Sequence, residues 1–312
     1  MSTIRAGLSA LYTSIYDEFM LSTFNEYKGG TIEAFKEIST TQQNYIVDDL
    51  SGLGMWDSVD ELEAANADDP ILGYSKTYTI GKLTKTFQVS FEAIDDDEYA
   101  LLKREGEAKN MGIGGRAKLS YDLAQVLING FDTAGADAQY LWDTDHDKNR
   151  EETGTDYSNL LSGALSHDNL EAAETQITAN MFDMRGIPIP ITQDPILLFP
   201  PALRGTVTRI LSERAFERPG TANRDVNQFV VRKGMFQYRP VEDPYLGAAM
   251  GGSNTAWYIL FPQLGYLKLV WRKKPEYVSW IDNDIDAINF KGRMRYAVGA
   301  DNWRAGFAST GL

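Results

Sequence analysis

The clearest pattern in the chain is an alternation of apolar and polar residues between positions 73 and 92. Tyrosine, isoleucine, phenylalanine and valine alternate there with threonine, lysine and glutamine, on both sides of a break at Gly81-Lys82. A two-residue period rich in threonine and aromatic residues is typical of β-strands, and a glycine between two such segments is typical of a turn. Residues 73–92 are therefore predicted to form a basic β-hairpin.

A helical spacing of apolar residues predicts two long helices, and Pro200-Pro201 is predicted to start a shorter third one in which Val207, Ile210 and Leu211 are apolar. The first spans 95–130 and begins with a run of acids, which the partial positive charge of a helix N-terminus favours. Three glycines within 112–115 weaken its middle, so a bend or the close approach of another chain is expected there. The second helix spans 166–184, where Ser166 can cap the start and Gly186 stops the helix.

The segments before residue 73 lack the pattern of a core. Residues 1–40 carry apolar residues at helical spacing and are predicted to form an arm with short helices. Residues 41–72 contain eight acids and no lysine or arginine, and they are predicted to be a solvated linker. Further strands are predicted at 196–199, 229–231, 257–261, 266–271 and 286–298. This mixed order indicates an α+β protein, which ends in a small-residue tail with Trp303 and Phe307.

The net charge argues against a tight grip on nucleic acid. The 312 residues include 30 lysines and arginines against 44 aspartates and glutamates, a formal charge of −14. Tight binding needs a surplus of basic residues to displace counterions, so we expect the chain at most to enclose nucleic acid. Cysteine is absent, which excludes disulfides and thiolate metal sites. We expect neither a signal peptide nor a membrane span.

Two motifs suggest chemistry, and both are incomplete. Residues 112–117 match a GxGxxA dinucleotide fingerprint, but they follow a charged helical stretch instead of a buried strand. Three aspartates within 143–147 have the spacing of a calcium loop, but Lys148 stands where that loop needs glycine. We interpret His146 as a surface residue and His167 as part of a helix start. No catalytic residue, cofactor or metal site is therefore predicted, although an unrecognised carboxylate pair would fit a hydrolase.

Four stretches of the sequence carry a resemblance to a known family. They begin at Lys85 (KTFQVSFEAIDDDEY), Tyr140 (YLWDTDH), Pro195 (PILLFPPALR) and Arg293 (RMRYAVGADNWR). With the order of arm, acidic linker, basic hairpin, long helix, mixed middle and terminal β-ladder, the chain resembles the major capsid proteins of tailed bacteriophages. More narrowly, it resembles the Mu-like major head subunit family. The resemblance covers most of the chain.

The resemblance implies an α+β fold of the Hong Kong 97 type. It divides the chain into an N-terminal arm and acidic linker (1–72), an E-loop hairpin (73–92), the spine helix of a peripheral (P) domain (93–139), a mixed axial (A) domain (140–264), and a return to the P-domain strands with a C-terminal tail (265–312). Arm and hairpin have too little interior to fold alone, so we expect them to pack on adjoining copies. The predicted E-loop contacts are Lys76, Tyr78, Lys82 and Lys85. Their predicted acidic partners are Asp95, Asp96, Asp97 and Glu98, or the acidic segment 41–72.

The function implied is structural. Hexamers and pentamers would close into an icosahedral shell around double-stranded DNA, in a virion assembled in the bacterial cytoplasm. The expected partners are further copies of the chain, a portal protein, a scaffolding protein, a maturation protease and a decoration protein. No contact with a membrane is expected. Two alternatives remain open at this point: an encapsulin-like compartment with the same fold, and the hydrolase above.

Overall fold

The computed structural model describes most of the chain after residue 29. The described residues are 18, 20–25, 30–64, 67–92, 100–152, 154, 157–213, 215–217, 224–231 and 236–312. Two predicted features lie outside them, namely the first part of the arm (1–17) and the acidic run 95–98. Among the helices of the described part, none is both long and apolar enough to cross a membrane.

Runs of strands at both ends of the described chain flank a middle part in which strands and helices mix, as predicted for an α+β protein. The strands are β1 (Lys36–Ser39), β2 (Asn44–Leu50), β3 (Leu72–Thr79), β4 (Leu83–Ser90), β5 (Leu160–Leu161), β6 (Ile196–Phe199), β7 (Ala215–Glu217), β8 (Arg224–Val226), β9 (Arg239–Glu242), β10 (Trp257–Leu260), β11 (Leu267–Asp282), β12 (Ala287–Ala300) and β13 (Gly306–Ser309). The helices are α1 (Ala100–Ile128), α2 (His167–Asn180), α3 (Arg204–Ser212) and α4 (Gln228–Val231).

A five-stranded sheet in the order β5-β13-β10-β6-β9 holds the centre of the molecule. All residues of β6 and β10 are buried, because both strands are continuous apolar runs that need cover on both faces. On one face, Leu198 and Tyr258 pack with the apolar stripe of α1. On the other face, Leu197 and Trp257 pack with α2 and α3.

A second sheet has the order β1-β11-β12-β4 and is dominated by the long antiparallel hairpin β11–β12. Leu269 and Trp271 from β11 and Tyr296 from β12 join α1 in the same core as the five-stranded sheet. Leu119, Leu123 and Leu127 of α1 are fully buried against this core. The long helix therefore connects the two sheets.

The predicted hairpin 73–92 is wrong in its pairing. β3 pairs antiparallel with β2 of the predicted acidic linker, and β4 pairs with β12. β4 leaves β3 because Phe87 stacks on Phe290 of β12, with ring centroids 4.9 Å apart, and Val89 is buried nearby. The predicted linker is instead half of a two-stranded element. We call residues 44–79, which comprise β2, β3 and the loop between them, the ribbon.

The described part of the arm packs on its own chain, which corrects the expectation that it needs an adjoining copy. Met20 and Phe24 are buried, and β1 adds to β11 in parallel register. α1 is continuous through its glycines, and the structure explains why one of them, at position 112, is a glycine. A Cβ at Gly112 would lie 2.6 Å from the carbonyl oxygen of Met20, so glycine allows the arm to cross the helix.

Three other predictions meet the structure with different outcomes. α2 is confirmed, with the Ser166 side chain accepting a hydrogen bond from the Asn169 amide, although the helix ends at Asn180. Residues 229–231 belong to helix α4 instead of a strand, since a short apolar run does not distinguish the two. The predicted tail is not a tail: Trp303 and Phe307 are buried, and β13 lies between β5 and β10. The last strand thus belongs to the central sheet and not to the β11–β12 ladder.

Candidate assembly interface

Among the described residues, the two most exposed large apolar side chains lie on the ribbon. Trp56 and Leu62 are fully exposed, and Met55 is 79% exposed. Ile46, Leu50, Leu53, Val59 and Leu72 are exposed as well. Full burial of a large apolar side chain gains about 1.5–3 kcal/mol, so a segment that exposes several of them is a candidate contact site.

The base of the ribbon is fixed to the body through Tyr78. This side chain is 3% exposed, and its hydroxyl donates a hydrogen bond to the Asp301 carboxylate. Lys268 forms an ion pair with the same carboxylate. Gly299 leaves room for the ring, since a Cβ there would lie 2.9 Å from Cε1 of Tyr78. Burial raises the pKa of the Tyr78 hydroxyl, so it stays a neutral donor.

The loop of the ribbon is held on one side by Arg185. Its Nε donates to the carbonyl of Gly52 at 2.8 Å, and its guanidinium pairs with Asp68 at 3.0 Å. Asp68 also accepts a hydrogen bond from the Gly54 amide at 2.6 Å. This backbone hydrogen bond and the Arg185 charge lower the pKa of Asp68. The loop is thus anchored near both of its ends, while residues 55–62 present their apolar side chains to solvent.

A groove of ≈ 550 Å³ opens on another part of the body, between β4, β12 and α1. Phe24, Met111 and Tyr277 contribute apolar surface to it. Lys85, Lys118 and Arg293 line it with positive charge, and no acid is among the described residues that line it. Lys118 also pairs with Asp122, and Arg293 pairs with Glu276.

The predicted contact residues occupy different positions. Lys82 and Lys85 are exposed on the connection to β4 and on β4 itself, and Lys76 is half-buried on the ribbon. Tyr78 is used inside its own subunit, so its predicted role as an intersubunit contact is wrong. The alternation in β3 correctly predicted the face of the strand on which Tyr78 lies. It could not show that the surface packed against this face belongs to the same chain. The predicted acidic partners 95–98 lie outside the described residues.

Two aspartates of the candidate calcium loop accept hydrogen bonds from backbone amides of the same chain. Asp143 accepts a hydrogen bond from the Thr144 amide, and Asp147 accepts one from the Gly154 amide. Across the described residues, no three potential ligands gather in a metal-binding group. The GxGxxA motif lies inside α1, not at a strand-to-helix turn, so its amides are used within the helix.

His146 is buried, which corrects its interpretation as a surface residue. Its Nδ1 lies 3.0 Å from Oδ2 of Asp137, and its Nε2 lies 3.2 Å from Oδ1 of Asn159. The ring stacks on Trp303 with centroids 4.7 Å apart. Asn159 in turn donates to the carbonyls of Leu141 and Trp303. This cluster joins the segment after α1 to the segment between β12 and β13, and its members are too far apart in sequence for spacing to reveal it.

Comparison with known proteins identifies the family. A family model described as "Phage capsid protein" matches residues 73–309. The chain belongs to this phage capsid protein family. The family is structural, as the sequence predicted, and its members are shell proteins of the virion. Among curated proteins, none matches the sequence.

Solved capsid structures share the fold of this chain. The capsid of the cyanophage P-SCSP1u aligns with a TM-score of 0.56 at 11% identity, over 91% of this chain and 88% of that one. The mature capsid of bacteriophage PhiM1 gives 0.55 at 14% identity, over 91% and 87%. A virus-like particle from Pyrococcus furiosus gives 0.54 at 13% identity, over 96% and 99%. The fold is of the Hong Kong 97 type, which confirms the predicted fold class.

Proposed function

We propose that this capsid protein assembles as hexamers and pentamers into an icosahedral shell that encloses double-stranded DNA. The observation that carries the proposal is the ribbon, which is anchored at its base and exposes large apolar side chains beyond it. Packing these side chains on an adjoining copy removes them from water. Each contact is modest, but repetition across a closed shell makes the whole assembly stable.

The two proposed domains correspond to the two larger sheets. Residues 93–139 and the β4, β11 and β12 strands act as the peripheral domain, and residues 140–264 with β13 act as the axial domain. The ribbon takes the role of the E-loop that the sequence assigned to 73–92. Exposed Lys82 and Lys85 are proposed as intersubunit contacts, with acidic partners at 41–72 or 95–98 of another copy.

Further proposed partners follow from the shell. A portal protein, a scaffolding protein, a maturation protease and a decoration protein would act on it, and assembly would take place in the bacterial cytoplasm. The net charge of −14 supports a wall that does not adhere to packaged DNA. The Mu-like subfamily remains a proposal that rests on the four sequence stretches.

An encapsulin-like compartment is a second candidate. The likeness to the virus-like particle from Pyrococcus furiosus favours it, because that alignment covers nearly all of both chains. The phage capsid family match favours the virion. Mass spectrometry of purified particles distinguishes the two, since a compartment retains an enzyme cargo and a phage head co-purifies with portal protein.

Electron microscopy of the chain expressed with and without its scaffolding protein tests the proposal. We expect closed particles of uniform diameter. The double variant Leu53→Ser/Leu62→Ser on the ribbon should abolish them, whereas the matched control Val226→Ser, also at an exposed apolar residue, should not. Wild-type protein that stays monomeric with its scaffold would overturn the proposal.

A further inference from the structure

We infer that Lys268 and Asp301 of one chain become joined by an amide bond between Nζ and Cγ, which links the start of β11 to the segment after β12. The inference concerns a modification site inside the subunit and goes beyond the proposed function. Three observations carry it: the contact of the two side chains, their burial with few other partners, and a hydrogen-bond donor on the carboxylate oxygen that would stay in the product.

The two side chains meet where β11 begins and β12 ends. Lys268 pairs with Gly299 across these antiparallel strands. The Asp301 amide donates to the carbonyl of Tyr266 at 2.9 Å, which holds the two backbone segments together. Nζ of Lys268 contacts Oδ2 of Asp301. Fixed neighbours react as if one were present at about 10⁵–10⁸ M, so a condensation that is unfavourable between separate molecules in water proceeds within the fold.

Both groups are buried, and they lack the full set of partners that a stable buried ion pair needs. The side chain of Lys268 is 11% exposed and that of Asp301 is 3% exposed. Among the described residues, Lys268 has an ion pair with Asp301 alone, and Oδ2 of Asp301 accepts no hydrogen bond from another group. A buried ion pair repays its loss of hydration only with further hydrogen bonds. An amide carries no charge and a single N–H, so its formation removes the cost of two buried charges.

Burial also favours the reactive forms of the two groups. Loss of hydration and the neighbouring Lys36 charge lower the pKa of Lys268 to about 8, against an opposing effect of Asp49. A lysine with this pKa loses its proton readily and becomes a nucleophilic amine. In the buried pair, one proton passes from Nζ to Oδ2 of Asp301, which leaves a neutral amine beside a neutral carboxylic acid.

Tyr78 activates the carbon that is attacked. Its hydroxyl donates a hydrogen bond to Oδ1 of Asp301, and it stabilises the negative charge that develops there when Nζ of Lys268 adds to Cγ. One of the two remaining Nζ protons then moves to the protonated Oδ2, the Cγ–Oδ2 bond breaks, and one water leaves. The products are a secondary amide and a water. Oδ1 remains as the amide carbonyl and keeps the hydrogen bond from Tyr78, so the base of the ribbon stays attached.

A small cavity beside Asp301 offers a place for the leaving water. Its volume of ≈ 10 Å³ is about the space that one water molecule needs. Asp49, Asn302 and Arg304 line it together with Asp301. Their carboxylate, amide and guanidinium groups are partners for a water, so the released molecule has a polar site to occupy outside the bond.

The mass of the denatured full-length subunit tests the inference. Wild-type protein should be lighter than its sequence by the mass of one water, and a protease digest should contain one peptide in which Lys268 and Asp301 are linked. The variant Asp301→Asn should instead be lighter than its own sequence by the mass of one ammonia, because the amide nitrogen is then the leaving group. The linked peptide distinguishes the bond from a cyclic imide that involves residue 301 alone.

Matched variants separate the bond from a simple ion pair. Lys268→Arg keeps the positive charge without an amine, and Asp301→Ala removes the acceptor, so both should have the full mass of their sequences. The control Lys274→Arg, at an exposed lysine of the same strand, should keep the mass loss. Tyr78→Phe should form the bond at least about tenfold more slowly, so unlinked chains should be visible after a short pulse of expression.

The outcomes also separate this inference from the proposed function. A wild-type subunit with the full mass of its sequence, both before and after assembly, would overturn the bond and leave the shell intact. A mass loss that persists in Lys268→Arg would overturn it as well. Protein that contains the linked peptide but forms no particles would remove the proposed function and leave this bond in place.

Discussion

The strand pair β6–β10 lies in the core of the molecule, whereas the strand pair β2–β3 is largely exposed to solvent. β6 and β10 are buried along their whole length, because α1 covers one face of their sheet and α2 and α3 cover the other. β2 and β3 alternate between exposed and half-buried positions, and only Gly73 and Tyr78 are fully buried. The difference teaches that this chain covers the apolar strands of its body within the subunit but leaves the apolar side chains of the ribbon exposed. Substitutions in the two regions should therefore affect different measurements.

The largest loss of subunit stability is expected from Trp257→Ala in β10. Trp257 is fully buried between the central sheet and α2, so its removal leaves a cavity and should cost about 3–5 kcal/mol in the free energy of unfolding. Urea denaturation of the unassembled subunit measures it. A cost below 1 kcal/mol would contradict the rigid packing of this core.

A smaller loss of subunit stability is expected from His146→Ala. This substitution breaks the hydrogen-bonded cluster that joins the segment after α1 to the segment between β12 and β13. Asp137 and Asn159 would each lose a buried hydrogen-bond partner, at about 1–3 kcal/mol in the free energy of unfolding. The control is His167→Ala, at the half-buried start of α2, where the ring contacts Phe229 and takes no part in the His146 cluster. Equal effects of the two substitutions would show that the buried cluster stabilises nothing.

Alkaline pH should loosen the base of the ribbon. Burial raises the pKa of Tyr78 above its unfolded value of about 10, so the folded state binds the hydroxyl proton more tightly than the unfolded chain does. Stability is thus fully present below about pH 10 and decreases above it, by at most about 1.4 kcal/mol per pH unit for each such tyrosine. Buried Tyr258 and Tyr296 have raised pKa values for the same reason and contribute too. Tyr78→Phe should reduce the slope of unfolding free energy against pH, and an unchanged slope would argue against the buried hydroxyl.

The smallest effect on the subunit is expected from Trp56→Ala on the ribbon. Because Trp56 is fully exposed, the free energy of unfolding should change by less than about 0.5 kcal/mol. Assembly should nevertheless fail or require a much higher protein concentration, as light scattering would show. A stable, normally assembling Trp56→Ala variant would remove the distinction between body and ribbon.

The sequence predicted strands more reliably than their partners. The apolar runs of β6 and β10 and the alternation in β12 located these strands, because continuous or alternating apolar residues have few other structures to adopt. Alternation in β3 located that strand as well, but a period of two defines a face and not a neighbour. The partner of β3 lies in the segment 41–72, where Tyr45 and Val47 are followed by eight acids, so the charge concealed a strand.

The contact surfaces could be predicted only in part. Lys82 and Lys85 are exposed as expected, and the apolar anchors of the acidic segment were visible in the sequence. The groove was not, since Phe24, Lys85, Lys118 and Arg293 come together only when four separate elements pack. The His146 cluster was missed for the same reason, because Trp303 lies on the other side of β11 and β12 in the chain.

The position of β13 has a consequence for biosynthesis. This strand lies inside the central sheet, with β5 on one side and β10 on the other, although it follows the other four strands of that sheet in the sequence. β5 cannot join the sheet until Ser309 has emerged from the ribosome tunnel. A polypeptide that lacks β13 exposes the edge of β10, and an unpaired strand edge of this kind makes an incomplete chain prone to aggregation.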